Sequence, residues 1–228
     1  MDLAEIRDRI QKKEWRDEHL QLMDSHLSKF YTNSEISVMH EIFSLDTLRI
    51  HVYMINSDKH PFNILLTSGM SSIEMNLEED DQDRDKLKFA ELMVLVPKEM
   101  EFGSNLPSDS PDSWVMDMLK DTARFPHHYD TWLQTGHTVQ AQYDLSPYSG
   151  QTEFAGVVVL PSFLFNSDFT KIKTSDSVIN IYTLFPLYNN ELEFKIANGY
   201  NALAKILEES DIDFTINNKR ANLLVAKK

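Results

Sequence analysis

The chain has 228 residues, of which 42% are hydrophobic, so it can bury the core of one large domain or of two small ones. It contains no cysteine, which excludes disulfide bonds and thiolate metal sites. Its formal net charge of −14, from 22 basic and 36 acidic residues, argues against nucleic acid or an anionic membrane as a partner and favours basic proteins.

The N-terminal residues 1–19 are charged throughout and lack the apolar core of a secretory signal. The longest apolar stretch, residues 155–165, is interrupted by Gly156, Pro161 and Ser162 and is too short to span a bilayer. We therefore expect a soluble, cytoplasmic protein.

The first segment of the chain has a helical pattern. Between Asp2 and Tyr31, apolar side chains recur at spacings of three and four, which places them on one helix face. Charged residues around Trp15 interrupt this face, so the pattern predicts either two helices or one helix with an exposed middle. We assign residues 1–34 to a helical segment that packs on, or extends from, a domain formed by residues 35–228.

Strands follow this segment. Within residues 48–55, apolar side chains alternate with Arg49, His51 and Tyr53, which predicts a sheet that has one wetter face. A turn is predicted at Asp46 and Thr47. Residues rich in β-branched and aromatic side chains predict six strands, at 38–43, 48–55, 61–68, 89–97, 154–161 and 178–186.

Two segments between the strands are polar or helical. The stretch 78–85 carries six acids, and we predict a solvated loop because the ligand spacing and central glycine of a calcium loop are absent. Ser110 predicts the N-cap of a helix that ends near Phe125, because a proline disfavours helical angles in the residue before it. Pro126 is then predicted to open a short second helical segment that closes near Gly136.

The C-terminal third returns to a helical pattern over residues 189–210. Gly199 lies inside it and costs about 1 kcal/mol relative to alanine, so we expect another part of the chain to approach its backbone closely. Residues 212–225 are predicted to form two edge strands. This order of elements predicts an α+β fold, with a central mixed or antiparallel sheet flanked by helices.

A cluster of histidines offers the main candidate for chemistry. On a helix, His127 and Asp130 would share one side, with His128 turned away and His137 a third ligand beyond Gly136. One hypothesis is therefore a metal-dependent enzyme using His127, Asp130 and His137. The alternative is an ordinary pair of histidines on a surface or in a groove, which we favour because HExxH and ligating cysteines are missing.

Other candidate groups have a structural interpretation that we prefer. Glu91 and Glu191 lie in apolar segments and are predicted to be partly buried in ion pairs or caps, with catalysis as general acid or base the alternative. His40 and His51 lie on neighbouring predicted strands and are expected to be hydrogen-bonded residues of the sheet. The sequence has no GxSxG elbow, phosphate loop or GxGxxG, so we predict neither an enzyme nor a cofactor.

Several blocks occur in an order that resembles the suppressor-of-fused (SUFU) domain family. The resemblance covers about residues 38–224, and the N-terminal helix only loosely. The blocks are LLTSGMSSIEM (65–75), AELMVLVP (90–97), WVMDMLKDTARFPHHYDTWLQTGHTV (114–139), FAGVVVLP (154–161), PLYNNELEFKIANGYNALAKIL (186–207) and NKRANL (218–223).

The resemblance implies a non-enzymatic, protein-binding domain of α+β fold. Animal members bind zinc-finger transcription factors, whereas bacterial single-domain members resemble immunity proteins that neutralise a cognate toxin. This chain has room for one such domain, which favours the bacterial role, with a basic toxin domain as the partner. The animal groove has an aromatic residue where Phe125 stands and an acid after the glycine that matches Gly136. Phe125 and His137 are thus the candidate partner-binding residues, although His137 replaces that acid.

Overall fold

The computed structural model describes residues 2–78, 82–100, 102 and 110–225. Its helices are α1 (Leu3–Gln11), α2 (Glu18–Leu27), α3 (Arg84–Leu87), α4 (Ser113–His128), α5 (Ser167–Thr170), α6 (Asn189–Asn198) and α7 (Tyr200–Glu209), with a 3₁₀ helix at Met70–Ser72. Its strands are β1 (Ile36–Met39), β2 (His51–Ile55), β3 (Phe62–Ser68), β4 (Phe89–Pro97), β5 (Thr138–Gln140), β6 (Phe154–Pro161), β7 (Lys171–Lys173) and β8 (Val178–Tyr188).

The described strands form one eight-stranded sheet in the order β1-β2-β3-β4-β8-β6-β5, with β7 paired to β8 off this path. All neighbours are antiparallel except β4 and β8, which are parallel. The predicted α+β class with a mixed sheet is confirmed. No helix in the described part of the chain is long and apolar enough to cross a membrane.

Both faces of the sheet are buried. Leu92 and Val94 of β4 belong to one apolar core, which α1 and α4 cover. Their neighbours Met93 and Leu95 belong to a second core, which α2 covers. This alternation is the period-two side-chain geometry of a strand, so a continuous apolar run such as β4 serves both cores at once.

The predicted wetter face of β2 is wrong, because α2 packs against it. Tyr53 is only 6% exposed, and its hydroxyl donates a hydrogen bond to the Asp24 carboxylate on α2. The prediction failed because it counted Tyr53 as a polar residue, whereas its ring is buried and only its hydroxyl needs a polar partner.

The N-terminal segment forms two helices that pack on opposite faces of the sheet. Ile6 and Ile10 of α1 lie in the first core, whereas Met23 and Leu27 of α2 lie in the second. The chain crosses between the faces near Trp15, which forms an isolated bridge with Ile73. A single continuous helix could not reach both cores, which explains the charged interruption in its sequence.

The chain leaves the sheet earlier after β1 than the predicted strand 38–43 implies. The backbone N–H of Ile50 donates to the Glu41 carboxylate at 2.8 Å, and the N–H of Glu41 donates to His51 Nδ1 at 3.1 Å. Side-chain acceptors thus replace the strand-to-strand hydrogen bonds, and residues 40–50 form no strand.

Helix α4 begins at Ser113, three residues after the predicted cap, and continues through Pro126 to His128. Proline removes one intrahelical hydrogen bond but is tolerated here in the last turn, where Tyr129 N–H still donates to the Phe125 carbonyl at 3.0 Å. The predicted break at Pro126 is therefore wrong. No helix follows between 129 and 136, because the chain turns away at Asp130, whose φ is +50°.

Three predictions for the C-terminal third need correction. The helical segment is divided at Gly199, whose φ of +82° caps α6 and starts α7. No atom lies within 4 Å of a Cβ built on Gly199, so its backbone angles explain the glycine, and close approach does not. Residues 212–225 form no edge strands, and their backbone pairing with the sheet is limited to an isolated bridge between Thr215 and Leu95.

Candidate protein-binding groove

A groove of about 1200 Å³ lies between α4, β5, the loop that follows β5 and one side of α6. Helix α4 forms one wall, since its buried stripe packs on the sheet and its opposite side faces the groove. The opposite wall is formed by residues 138–143 and 148–151. The groove is open to solvent and adjoins the edge of the sheet at β5.

Aromatic side chains line this groove. Phe125 is half-buried on its α4 wall, and its ring lies 4.6 Å from that of Tyr129. At its base, the ring of Trp114 stacks on Tyr148 at 5.8 Å. Tyr143 is almost fully exposed at its margin. Amphipathic rings of this kind supply large contact areas at protein interfaces.

The charges along the α4 wall are divided. Arg124 and His128 already have partners, since Arg124 binds Glu41 and His128 Nε2 lies 2.5 Å from Asp46 Oδ2. Asp117 and Asp121 also line the groove and are exposed. Within the described residues no basic side chain comes within the 4 Å of a salt bridge to either of them. The unpaired charge that the groove presents to a partner is therefore negative.

His137 lies beside the groove, immediately before β5. Its Nδ1 is 3.3 Å from the Trp132 carbonyl, and its ring meets the Trp132 indole edge-on at 4.9 Å. Burial lowers the pKa of His137, and the bond to the Trp132 carbonyl opposes that effect. Phe125 lines the groove. His137 is not among the lining residues, although the next residue in sequence, Thr138, is.

The structure does not bring the proposed metal ligands together. His127 is buried, and its Nε2–H donates to the Met70 carbonyl at 2.9 Å. The Asp130 carboxylate accepts instead from the Lys13 ammonium at the surface, at 3.3 Å. In the part of the chain that is described, no three His, Asp or Glu side chains form a group that could hold a metal ion. The hypothesis of a metal-dependent enzyme at this cluster thus lacks its site.

Glu91 caps the 3₁₀ helix. Its carboxylate is fully buried and accepts hydrogen bonds from Thr67 Oγ1 at 2.6 Å, Gly69 N at 3.0 Å, and Ser71 N and Oγ at 2.9 and 2.7 Å. Burial raises the pKa of Glu91, and these hydrogen bonds oppose the rise. The structural interpretation of this acid agrees with these contacts.

Glu191 combines a cap with a buried ion pair. It accepts from the Tyr188 N–H at 3.0 Å and from the Arg220 guanidinium at 2.9 and 2.6 Å. The guanidinium carbon also lies over the rings of Phe154 and Phe185, at 5.2 and 4.9 Å from their centroids. This pair fastens the C-terminal tail to the start of α6, which is why the tail needs no strand pairing.

Two features of this region are absent from the sequence-based predictions. One is the buried Asp46, which accepts from His128 and lies 3.4 Å from Arg124 Nε. The other is the exposed apolar segment 42–45, whose first two residues fall within the predicted strand 38–43. The sequence offers one hint of both, because Asp46 and Thr47 predict a turn.

These elements define a class of domain, a mixed sheet covered on both faces by helices and bearing an open, aromatic-lined groove at α4. The model of the suppressor of fused protein family (SUFU) matches residues 44–221, and the chain therefore belongs to that family. This confirms the resemblance that the ordered sequence blocks carry.

Solved structures share the fold. A SUFU homologue from Neisseria gonorrhoeae matches with a TM-score of 0.67 at 16% identity, over 92% of this chain and 99% of that one. A Sufu–Fu complex matches at 0.62 and 14%, over 93% of each chain. Drosophila Suppressor of Fused matches at 0.52 and 13%, over 92% of this chain and 52% of that one. A search of curated proteins found no match.

Proposed function

We propose that this chain is a non-catalytic, cytoplasmic protein-binding domain that neutralises a cognate bacterial toxin by direct binding. The observation that carries the proposal is membership of the suppressor-of-fused family over residues 44–221. One similar structure is a complex of Sufu with Fu, which supports a protein as the ligand. The open, aromatic-lined groove beside α4 is suited to a protein segment.

The extent of the match to a bacterial homologue supports the bacterial part of the proposal. This chain covers 99% of the Neisseria homologue but only 52% of the Drosophila protein. The match therefore spans nearly all of the bacterial homologue, whereas it leaves about half of the animal protein unmatched.

Charge supports a basic partner. The net charge is −14, and the exposed carboxylates of Asp117 and Asp121 line the groove. Opposite charges across an interface speed association and suppress wrong partners. Many toxin domains that attack nucleic acid are basic, which is the complement this surface requires. Phe125 and His137 are the residues that we propose to lie at this contact.

Co-expression tests the proposal. The chain is expressed with the toxin-domain protein encoded by the adjacent gene, and growth rescue and co-purification are measured. We expect rescue together with a stable complex. Loss of toxicity without a complex would indicate an indirect effect, and the absence of both rescue and complex would exclude the immunity role.

A further inference from the structure

Three large apolar side chains lie exposed within four residues, in the segment Ile42, Phe43, Ser44 and Leu45, here called the 42–45 loop. Ile42 is 69% exposed, Phe43 90% and Leu45 71%. A single exposed apolar residue is ordinary on a protein surface, but a contiguous group of them marks an interaction site. The four residues of the loop carry no charge, and the nearest charged residues in sequence are Glu41 and Asp46, one on each side.

The first end of the loop is fastened to α4. The Glu41 carboxylate pairs with the Arg124 guanidinium and lies 3.6 Å from the Lys120 ammonium. The same carboxylate accepts the Ile50 N–H at 2.8 Å, so it also joins the loop to the chain that enters β2. These side chains are largely shielded from water, which strengthens the charged contacts.

The second end is fastened by Asp46, which is buried. Its carboxylate accepts from His128 Nε2 at 2.5 Å, from the Leu48 N–H at 3.1 Å and from the Ser44 hydroxyl. Burial by itself would raise the pKa of Asp46, but these bonds and the nearby Arg124 hold it below its ordinary value. Asp46 is thus a charged anchor beneath an apolar tip.

Two further features fix the backbone of the loop. The Arg7 guanidinium on α1 donates to the Leu45 carbonyl at 3.0 and 2.8 Å. Thr47 adopts φ +74°, a conformation that is unfavourable for a β-branched residue. Such strain persists only where the surroundings impose it, and it is concentrated at functional sites. The backbone is therefore held in one conformation while the apolar side chains stay in water, and little ordering is left for binding to require.

The surroundings indicate what covers this loop. A second copy of the chain would also carry a net charge of −14, and like charge of this size opposes self-association. The anchors Lys120, Arg124 and His128 occupy one side of α4, and Arg124 and His128 also line the groove. The loop and the groove therefore adjoin the same row of side chains, so one partner can reach both.

We propose that the 42–45 loop inserts into an apolar pocket of the basic protein that occupies the neighbouring groove. This inference rests on the proposed function and adds a second contact to it. The loop is a preformed anchor, and the exposed carboxylates of Asp117 and Asp121 on α4 complement basic residues beside the pocket. Burial of Phe43 supplies much of the contact, as interface aromatics generally do.

The test uses calorimetry to compare the wild-type protein with a loop variant. The ligand in both measurements is the purified, catalytically inactive toxin domain from the adjacent gene. The variant combines Ile42→Ser, Phe43→Ser and Leu45→Ser, and we expect Kd to rise at least about tenfold. Because all three side chains are exposed, thermal unfolding should be unchanged. Phe43→Ser alone replaces the triple variant if the latter is unstable. The matched control is Leu164→Ser, which removes an exposed side chain in the loop after β6.

The outcomes separate the two proposals. If wild-type protein does not bind the toxin domain, the proposed function fails and this inference fails with it. If the wild type binds and the loop variant binds equally well, only this inference is overturned. It is also overturned if the free wild type sediments as a dimer that the loop variant dissociates, since the loop would then contact a second copy.

Discussion

His127 shows how burial decides the role of a single side chain. Its Nε2–H donates to the Met70 carbonyl on the 3₁₀ helix, so the ring is held as a neutral donor that ties α4 to the end of β3. A histidine that is desolvated in this way resists protonation. Its place in a histidine-rich stretch of sequence therefore reflects packing, and the metal-site hypothesis considered only its spacing.

The first prediction concerns the pH dependence of stability. Burial lowers the pKa of His127 from 6.5 to about 4, in spite of the opposing bond to Met70. The unfolded chain therefore binds the proton more readily than the folded chain. The stability that neutral His127 contributes is complete above pH 6.5 and is lost as the pH falls towards 4. The free energy of unfolding, measured by urea denaturation, should fall by about 3 kcal/mol over this window.

His127→Gln provides the comparison, because the amide can donate to Met70 but cannot titrate. We expect this variant to lose less stability than the wild type across the same pH window. His60→Gln is the matched control, since burial also lowers the pKa of His60 but that ring is only partly buried. Equal pH profiles for wild type and His127→Gln would show that other groups dominate acid unfolding.

The second prediction concerns Phe125 on the groove wall. Phe125→Ala should weaken toxin binding by about 2 kcal/mol, roughly thirtyfold in Kd, because truncating an interface aromatic removes a large desolvated contact. His137→Ala should have a smaller effect, since its ring packs against Trp132. The measurement is the Kd from calorimetry. Phe163→Ala is the control, a half-exposed phenylalanine outside the groove, and an equal loss there would refute a specific role for Phe125.

At the scale of elements, the third prediction ranks three glycines. Gly199→Ala should cost about 1–3 kcal/mol, because φ +82° with ψ 170° is nearly restricted to glycine, although the site has room for a Cβ. Gly69→Ala should cost more, since its Cβ would lie 2.0 Å from the Arg49 carbonyl oxygen. Gly150→Ala should change stability by less than about 0.5 kcal/mol.

Urea denaturation of the three variants gives these differences directly. The ranking separates two contributions to the lost free energy of unfolding. Gly199→Ala measures the unfavourable backbone angle alone, whereas Gly69→Ala adds the clash of the new Cβ with the Arg49 carbonyl. If Gly199→Ala were neutral, the division between α6 and α7 would need an explanation other than its φ.

Strands were predicted well where burial makes the sequence continuous. β4, β6 and β8 are apolar along almost their whole length because each serves two cores, and runs of this kind are hard to mistake. β5 and β7 were missed because each has only three residues, too few to show a period. The tail was misassigned because its apolar residues, such as Ile216 and Leu223, pack against the cores, while Arg220 pairs with Glu191, 29 residues away in sequence.

At the scale of the whole molecule, the fourth prediction concerns the net charge of −14. The association rate of the toxin complex, measured by stopped flow, should fall by about tenfold from low to high ionic strength, because salt screens long-range attraction. Dissociation should change less. Replacing Asp117 and Asp121 with Asn should flatten this dependence, and an unchanged salt dependence in that variant would place the attraction elsewhere on the surface.

The groove is a property of the assembled molecule. Phe125 was identified from a family resemblance, and the structure adds Asp117 and Asp121 on the same helix and Tyr129 immediately after it. The opposite wall comes from β5 and the loop after it, which no local pattern connects to α4. The 42–45 loop likewise depends on Arg124 and His128, which are about 80 residues distant in sequence.

The amino-acid sequence by itself determined the α+β class, the long central strands, the absence of disulfides, the acidic character and, through the ordered blocks, the family. These follow from composition and from local periodicity, which neighbouring residues carry. Only the tertiary structure decided which histidines are buried, which faces of the sheet are covered, and that Ile42, Phe43 and Leu45 remain in water. Such features depend on contacts between distant parts of the chain, and burial and charge pairing there outweigh local preference.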